Sequence, residues 1–245
     1  MIMAAHQPNF LPWLGFFDKA RRADRFVLLD AVQLPRRTYT TRVDIALRGR
    51  KHRLSIPVQH IGSQSIPIRE ARLDVLSRDW LKLARTVEAA YGNWPGFGAA
   101  GSQICQVLAA PPPFLLDLNL ALLELLGQPL GLDVGRWVLE SAVPHAASKT
   151  ERMIALAEHL GCDTYLSGGW SPDAEAPPLQ TSTGASYNDP ARFSEAGIRL
   201  CYQNYREPPY ETPAGPRLGG LSALDAVSAL GYCSSGSLQK LLQSG

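Results

Sequence analysis

His6, Gln7, Pro8 and Asn9 follow directly on a short apolar run, Met1 to Ala5. An imidazole titrates near neutrality without special tuning, so His6 can take up or release a proton at pH 7. Gln7 and Asn9 bring amide groups that both donate and accept, enough to fix a small polar substrate. Backbone N–H groups at the start of a following helix would supply donors for an oxyanion. Such a set suits amide formation, in which a base removes a proton from an attacking amine. It suits a plain helix cap as well, with Pro8 and Pro12 merely shaping the turn. Asp30, at the end of a second apolar run, is the acid that could orient the imidazole through its other ring nitrogen.

A second group of chemistry-bearing residues is basic. Arg36, Arg37, Arg42, Arg48, Arg50, Lys51 and Arg53 are crowded together with only Asp44 among them. A charge run of this kind is commonly a solvated face. The functional alternative is a rim for an anion, with Arg42 and either Arg36 or Arg37 forking onto a phosphate or carboxylate. Further on, Ser167 precedes two glycines, a setting in which a hydroxyl and free N–H groups face a ligand. It is not a G-x-S-x-G elbow, and no Ser-His-Asp order follows from the chain. Tyr187 reads as a packing residue or a substrate contact, His145 as a lone surface histidine or a member of the site, and His159 as structural or exposed.

Elements that would position these residues can be read from periodicity. Met1–Ala5 reads as a buried strand, Trp13–Ala23 as a helix, and Arg25–Asp30 as a second strand. Strand, loop, helix, strand in thirty residues opens a parallel α/β unit, whose ligands bind beyond the carboxyl ends of the strands. A strand over His52–Val58 would pair with part of Thr40–Leu47, and short strands are expected at Ile66–Glu70 and Ala71–Val75. Helices are predicted at Asp79–Tyr91, Ile104–Leu108 and Leu115–Leu126, the last capped by Gly127. Ser148-Lys-Thr-Glu151 fits a capping box ahead of a helix over Arg152–Leu160. Thr164–Gly168 and Ile198–Gln203 read as strands, and Ala191–Ala196 and Ser222–Leu230 as helices. The Pro-, Ser- and Gly-rich stretch 171–186 reads as a mobile surface loop. The expected class is α/β: one domain over 1–245, with a mostly parallel sheet flanked by helices.

Composition narrows the field. A net charge of +2 over 245 residues argues for no nucleic-acid or membrane partner from the global field. No apolar run is long enough to span a bilayer, and the start lacks the pattern of a secretion signal. A cytoplasmic protein with reduced thiols is the expectation. Cys105, Cys162, Cys201 and Cys233 show no metal-ligand spacing, and no Walker or Rossmann fingerprint is present. Neither a metal nor a cofactor is expected.

The opening HQPNFLPWLGFFDKARRADRFVLLDAVQ resembles the start of the WbqC-like family, as do Tyr165-Leu-Ser-Gly168 and the stretch DPARFSEAGIRLCYQNY from Asp189 to Tyr205. The segments LLDLN, Ser148–Arg152 and LSALDAVSALG align in the same order. The resemblance extends over the chain and points to His6, Gln7, Pro8, Asn9, Asp30, Gln33, Arg42, Ser167, Gly168, Tyr187 and Asp225 as matching positions. Some members of that family belong to O-antigen or other surface-polysaccharide gene clusters. The resemblance thereby implies transfer of glycine or another acyl group to an amine or amino sugar, in O-antigen or natural-product biosynthesis. His6 and Asp30 would be catalytic, and Gln7, Asn9, Gln33, Arg37, Arg42, Ser167, Gly168 and Tyr187 would hold substrate. A charged tRNA, an activated amino acid and an acyl thioester are all compatible donors. This chain departs from the family pattern at Thr41 and Val43, where asparagines are usual on either side of Arg42. Two other classes stay open: a non-catalytic nucleotide-sugar or small-molecule binding partner of a biosynthetic enzyme, and an amide or acyl hydrolase. Oligomeric state is not legible.

Overall fold

The structure is a computed structural model, and it describes residues 1–35, 38–59, 66–145, 147–169, 188–215 and 217–230. The expected loop over 171–186 lies outside the described residues, as do Arg36, Arg37, Tyr187 and Cys233. By contacts the chain divides into two compact units, each gathered from separated stretches. One comprises Met1–His6, Asp18–Leu29 and Trp137–Arg206; the other comprises Gln7–Phe17, Asp30–Arg136 and the chain from Glu207.

The first unit carries the parallel sheet. Its strands are β1 (Ile2–His6), β2 (Arg25–Leu28), β5 (Val138–Leu139), β6 (Thr164–Ser167) and β7 (Arg199–Tyr202), in the order β5-β2-β1-β6-β7. Every pairing is parallel, and β1 sits in the middle with Ala4 opposite Phe26 on one side and Leu166 on the other. Strands flanked by neighbours on both edges are buried, and in IMAAH and TYLS the interior positions are Met3, Ala4, Ala5, Tyr165 and Leu166, with polar side chains at His6, Thr164 and Ser167 on the strand ends. Met3 and Ala5 point to one face, where α5 (Lys149–His159) and α6 (Pro190–Glu195) cover them with Met153, Leu156, Ala157 and Phe193. Tyr165 and Phe193 stack there with ring centroids 5.3 Å apart. By the alternation of a strand, Ala4 and His6 take the opposite face.

The second unit is a hairpin and helices. β3 (Arg42–Leu47) and β4 (Arg50–Ser55) pair antiparallel, and α2 (Asp79–Tyr91), α3 (Gly98–Ala109), α4 (Leu115–Gly127) and α7 (Ala223–Leu230) supply apolar faces. Buried Asp225 of α7 accepts hydrogen bonds from Tyr91 and Tyr210, both at 3.0 Å, and the Tyr91 oxygen in turn accepts from the Ala46 N–H. That network ties α7 to α2 and β3. The helix α1 (Leu14–Arg21) begins on residues of this unit and ends on residues of the first.

The α/β class with a parallel sheet and helices is what the chain adopts, and α2 has the bounds that its periodicity predicts. Several local expectations are corrected. No strands form over Ile66–Val75; a 3-10 turn at Ile68–Glu70 and isolated bridges at Pro67, Arg72 and Leu73 stand there instead. Pro67 cannot donate to a ladder, which limits pairing at that point. The helix expected at Ile104–Leu108 starts six residues earlier, at Gly98. Its glycines conceal it from periodicity, and Gly101 is required by packing: a Cβ there would lie 2.3 Å from the Phe97 ring. Gly127 is no left-handed cap either. It is the last residue of α4, where a Cβ would meet Val134 at 2.8 Å, while the positive φ of 77° falls at Gly131. The capping box does not form. Ser148 makes no side-chain cap bond, Lys149 has φ 54°, and Glu151 turns to Arg192 at 2.8 Å. Gly161, with φ 66°, does end α5 as expected.

Candidate functional site

In the first unit the chain leaves β1 in two directions: β2 and β5 lie to one side, β6 and β7 to the other. Such a reversal, here between β1 and β6, is where open α/β sheets bind ligands, beyond the carboxyl ends of the strands. His6 is the last residue of β1, and its carbonyl accepts from the Leu29 N–H at 2.8 Å. The imidazole is half-buried. Ser167 ends β6, and Gly168 follows.

Three polar groups around these ends are fixed by the fold. The buried Ser167 hydroxyl accepts from the Asn188 amide at 2.7 Å and donates to the Gly168 carbonyl at 3.0 Å. Its proton is committed, so Ser167 is a shaped wall, not a nucleophile in waiting. Lys19 of α1 is 3% exposed, and its Nζ donates to the Ala5 carbonyl at 2.8 Å, one residue before His6. No carboxylate pairs with it among the described residues, and desolvation draws its amine down to about 7. A Cβ on Gly168 would lie 3.5 Å from that Nζ, an ordinary van der Waals distance, so the amine packs against the turn after β6. Next to it, buried Asp18 accepts from the Gln203 amide at 2.8 Å and meets Arg21 and Arg22 at 3.4 and 3.6 Å. Arg22 also donates to the Gln203 carbonyl at 2.6 Å, so the end of α1 is clamped to the exit of β7.

At the end of β5 a further cluster stands on the same carboxyl edge. Glu140 is buried, with His145 Nε2 and Arg152 Nε both 3.1 Å from its Oε1. His145 is therefore no isolated surface group: its side chain is 10% exposed and paired.

The second unit holds the rest of the expected set. In the loop after His6, Gln7 Oε1 accepts from the Thr40 hydroxyl at 3.3 Å, and Asn9 is buried. Asn119, fully buried on α4, donates from its amide nitrogen to the Pro8 carbonyl at 2.7 Å and the Thr40 carbonyl at 3.0 Å. The loop is further constrained by Leu11, a buried residue with φ 43°, a conformation rare for leucine. Asp30 is buried, and its carbonyl accepts from the Arg69 N–H at 3.0 Å. Gln33 is exposed and bridges to Pro67 through its backbone. Arg42 lines a depression of about 100 Å³ with Thr38, Tyr39 and Arg53, and makes no ion pair among the described residues. Its neighbour Asp44 is claimed by Arg53 through two bonds of 2.8 Å, which hold that carboxyl below the usual carboxylate range.

His6, Ser167 and Gly168 thus share one unit, while Gln7, Asn9, Asp30, Gln33 and Arg42 share the other. The sequence pairs His6 with Asp30, but the two fall in different units. Lys19, Asp18, Gln203 and Asn119 are polar groups that periodicity did not single out. Lys19 hid in the string DKARR, which reads as solvated charge. The signal for Asn119 was an amide inside an otherwise apolar helix. Among the described residues no three His, Cys, Asp or Glu side chains gather in a way that could hold a metal ion. No helix among them is long and apolar enough to cross a membrane.

Comparison with known proteins gives two matches. The profile of a family described as the WbqC-like protein family matches residues 7–235. An uncharacterized protein of Mycobacterium tuberculosis (strain ATCC 25618 / H37Rv), Rv1507c, is 28% identical over 237 residues, covering 94% of each chain. No solved structure matches.

Proposed function

The chain belongs to the WbqC-like protein family, and from that premise we propose that it transfers an acyl or aminoacyl group, such as glycyl, to a small amine or amino-sugar acceptor, with His6 as general base. The observation that supports this most is the place of His6, at the carboxyl end of the central strand and beside the point where the sheet reverses its order. A reactant amine bound there would have the imidazole on one side and the Ser167–Gly168 turn on the other.

In the proposed step the acceptor nitrogen attacks the acyl carbon of an ester or thioester donor. His6 takes one proton from the nitrogen, the carbonyl oxygen carries the developing charge, and the alcohol or thiol leaves with the proton returned by His6. Lys19 complements this chemistry. An amine with a pKa of about 7 is neutral in about half of molecules at neutral pH, and binding of an anionic substrate group nearby would favour its charged form. Arg42 is assigned, within its own unit, to an anionic part of the substrate. Gln7, Asn9 and Gln33 are assigned to polar contacts, and Asp30 is kept as the second catalytic candidate.

The test is turnover of amine acceptors with activated glycine, glycyl thioester and glycyl-RNA donors, for wild type and His6→Ala. Loss of a general base costs 10²- to 10⁴-fold, so a drop in kcat of that size with acceptor binding retained is expected. Full turnover by His6→Ala would remove the mechanism.

A further inference from the structure

Away from His6, the second unit carries a groove of about 630 Å³ between the tip of the β3–β4 hairpin and one face of α2. Arg78, Lys82 and Arg85 line it from the helix, Arg48 from the hairpin, and Leu47 and Leu81 form part of its wall. The spacing 78, 82, 85 puts three cations along one helix face over roughly 10 Å of axis. All four cationic side chains are exposed, and none makes an ion pair among the described residues. Charge of one sign lining a groove with no acid among its lining residues focuses a positive field that attracts anions.

The hairpin adds an independent observation. Leu47 pairs with Arg50, so Arg48 and Gly49 alone form the turn, with φ of 51° and 73°. Two positive φ angles define a tight turn whose first position favours Asn, Asp or Gly. An arginine there carries a cost of order 1 kcal/mol that the hairpin itself does not require. The strained position aims a guanidinium at the groove instead.

We propose that this groove binds the phosphodiester backbone of a single nucleic-acid strand. A row of cations fits successive phosphates better than one isolated anion, and three of the four are arginines, whose fork matches phosphate oxygens. The concave shape favours a strand over a flat lipid surface. No aromatic ring lines the groove, so bases have no stacking platform and binding is independent of sequence. This goes beyond the transfer reading and does not depend on it; where both hold, the strand is the carrier of the acyl donor.

The experiment is fluorescence anisotropy of labelled twelve-nucleotide RNA and DNA of mixed sequence with the full chain, from 50 to 200 mM salt. Four phosphate contacts to a single strand give a slope of about −2.8 in log affinity against log salt, a loss of roughly 50-fold over that range. Combining Arg78→Gln, Lys82→Gln and Arg85→Gln should weaken binding at 50 mM and leave a loss of only about 3-fold over the same range. A control combining Arg25→Gln, Arg69→Gln and Arg136→Gln removes equal charge elsewhere and should bind as wild type. Equal weakening in the two variants, unchanged binding in the groove variant, or no binding to either strand would each overturn the proposal. So would preference for a poly-glutamate peptide or for phosphatidylserine vesicles over both strands. A preference between RNA and DNA names the source of the strand. His6→Ala should bind the strands normally, which separates failure of this proposal from failure of the transfer reading.

Discussion

Lys19 shows what burial of a single cationic side chain costs. Its amine titrates near 7 in the folded protein and near the ordinary 10.5 in the unfolded chain. Between those values the unfolded chain binds more protons, so folding stability climbs with pH through that window. Below about 7 both states are charged and the full penalty of the buried amine is present; above 10.5 both are neutral and it is gone. The span amounts to roughly 5 kcal/mol if the whole shift is realised. Urea unfolding of wild type at pH 7 and pH 9.5, compared with Lys19→Met, should show a rise in wild type that the variant lacks. An identical pH dependence in the two proteins would contradict the burial of an unpaired amine. His6 was legible because its neighbours are unusual and its strand is plain. Lys19 was not, because burial of a lysine depends on where α1 comes to rest and not on the letters around it.

At the scale of elements, the loop after His6 is held by a helix rather than by its own residues. Asn119 supplies one amide nitrogen to two buried carbonyls, those of Pro8 and Thr40. Asn119→Leu would keep the apolar face of α4 and leave both carbonyls without that donor. A loss of about 2–4 kcal/mol is expected, since each buried unsatisfied group costs about 1–3 kcal/mol. A loss below about 1 kcal/mol in equilibrium urea unfolding would show that the loop does not depend on this anchor. Element positions were largely readable where burial has a clear period, as in α2, or where a strand is short with an apolar centre, as in β1 and β6. They were misread where a glycine serves close packing, as at Gly101 and Gly127, and where a cap sequence is overruled, as at Ser148. Those outcomes are decided by neighbours distant in sequence, which local spacing cannot see.

Across the molecule, the first unit takes its strands from residues 2–6, 25–28, 138–139, 164–167 and 199–202. The sequence announced the parallel β1-α1-β2 opening, but not that the chain would be shared between two compact units. Nor could it tell which polar residues fall in which unit, because β1 and the loop after it are neighbours in sequence and belong to different ones. Ligand linkage gives a reading of the molecule as a whole. Nucleotide sugars, amino acids, nucleoside triphosphates and acyl thioesters can be screened by thermal unfolding. A true ligand at a hundred times its Kd adds about 2.7 kcal/mol, or roughly 5–11 °C for a chain of this size. A shift with one class that disappears in His6→Ala would assign that class to the carboxyl end of β1. A shift of the same size in His6→Ala would move the ligand elsewhere.

The pairing of β1 with β6 also sets a schedule for synthesis. Ile2 leaves the ribosome well before its partner Thr164 is made. At ribosomal rates of about 5–20 residues per second, the strand that bears His6 waits roughly 10–30 s for that neighbour. During that interval only β2 can shield it, and its other edge is an open template for wrong pairing. Slow decoding ahead of residue 164 would lengthen the exposure, so the yield of folded protein depends on elongation speed as well as on stability.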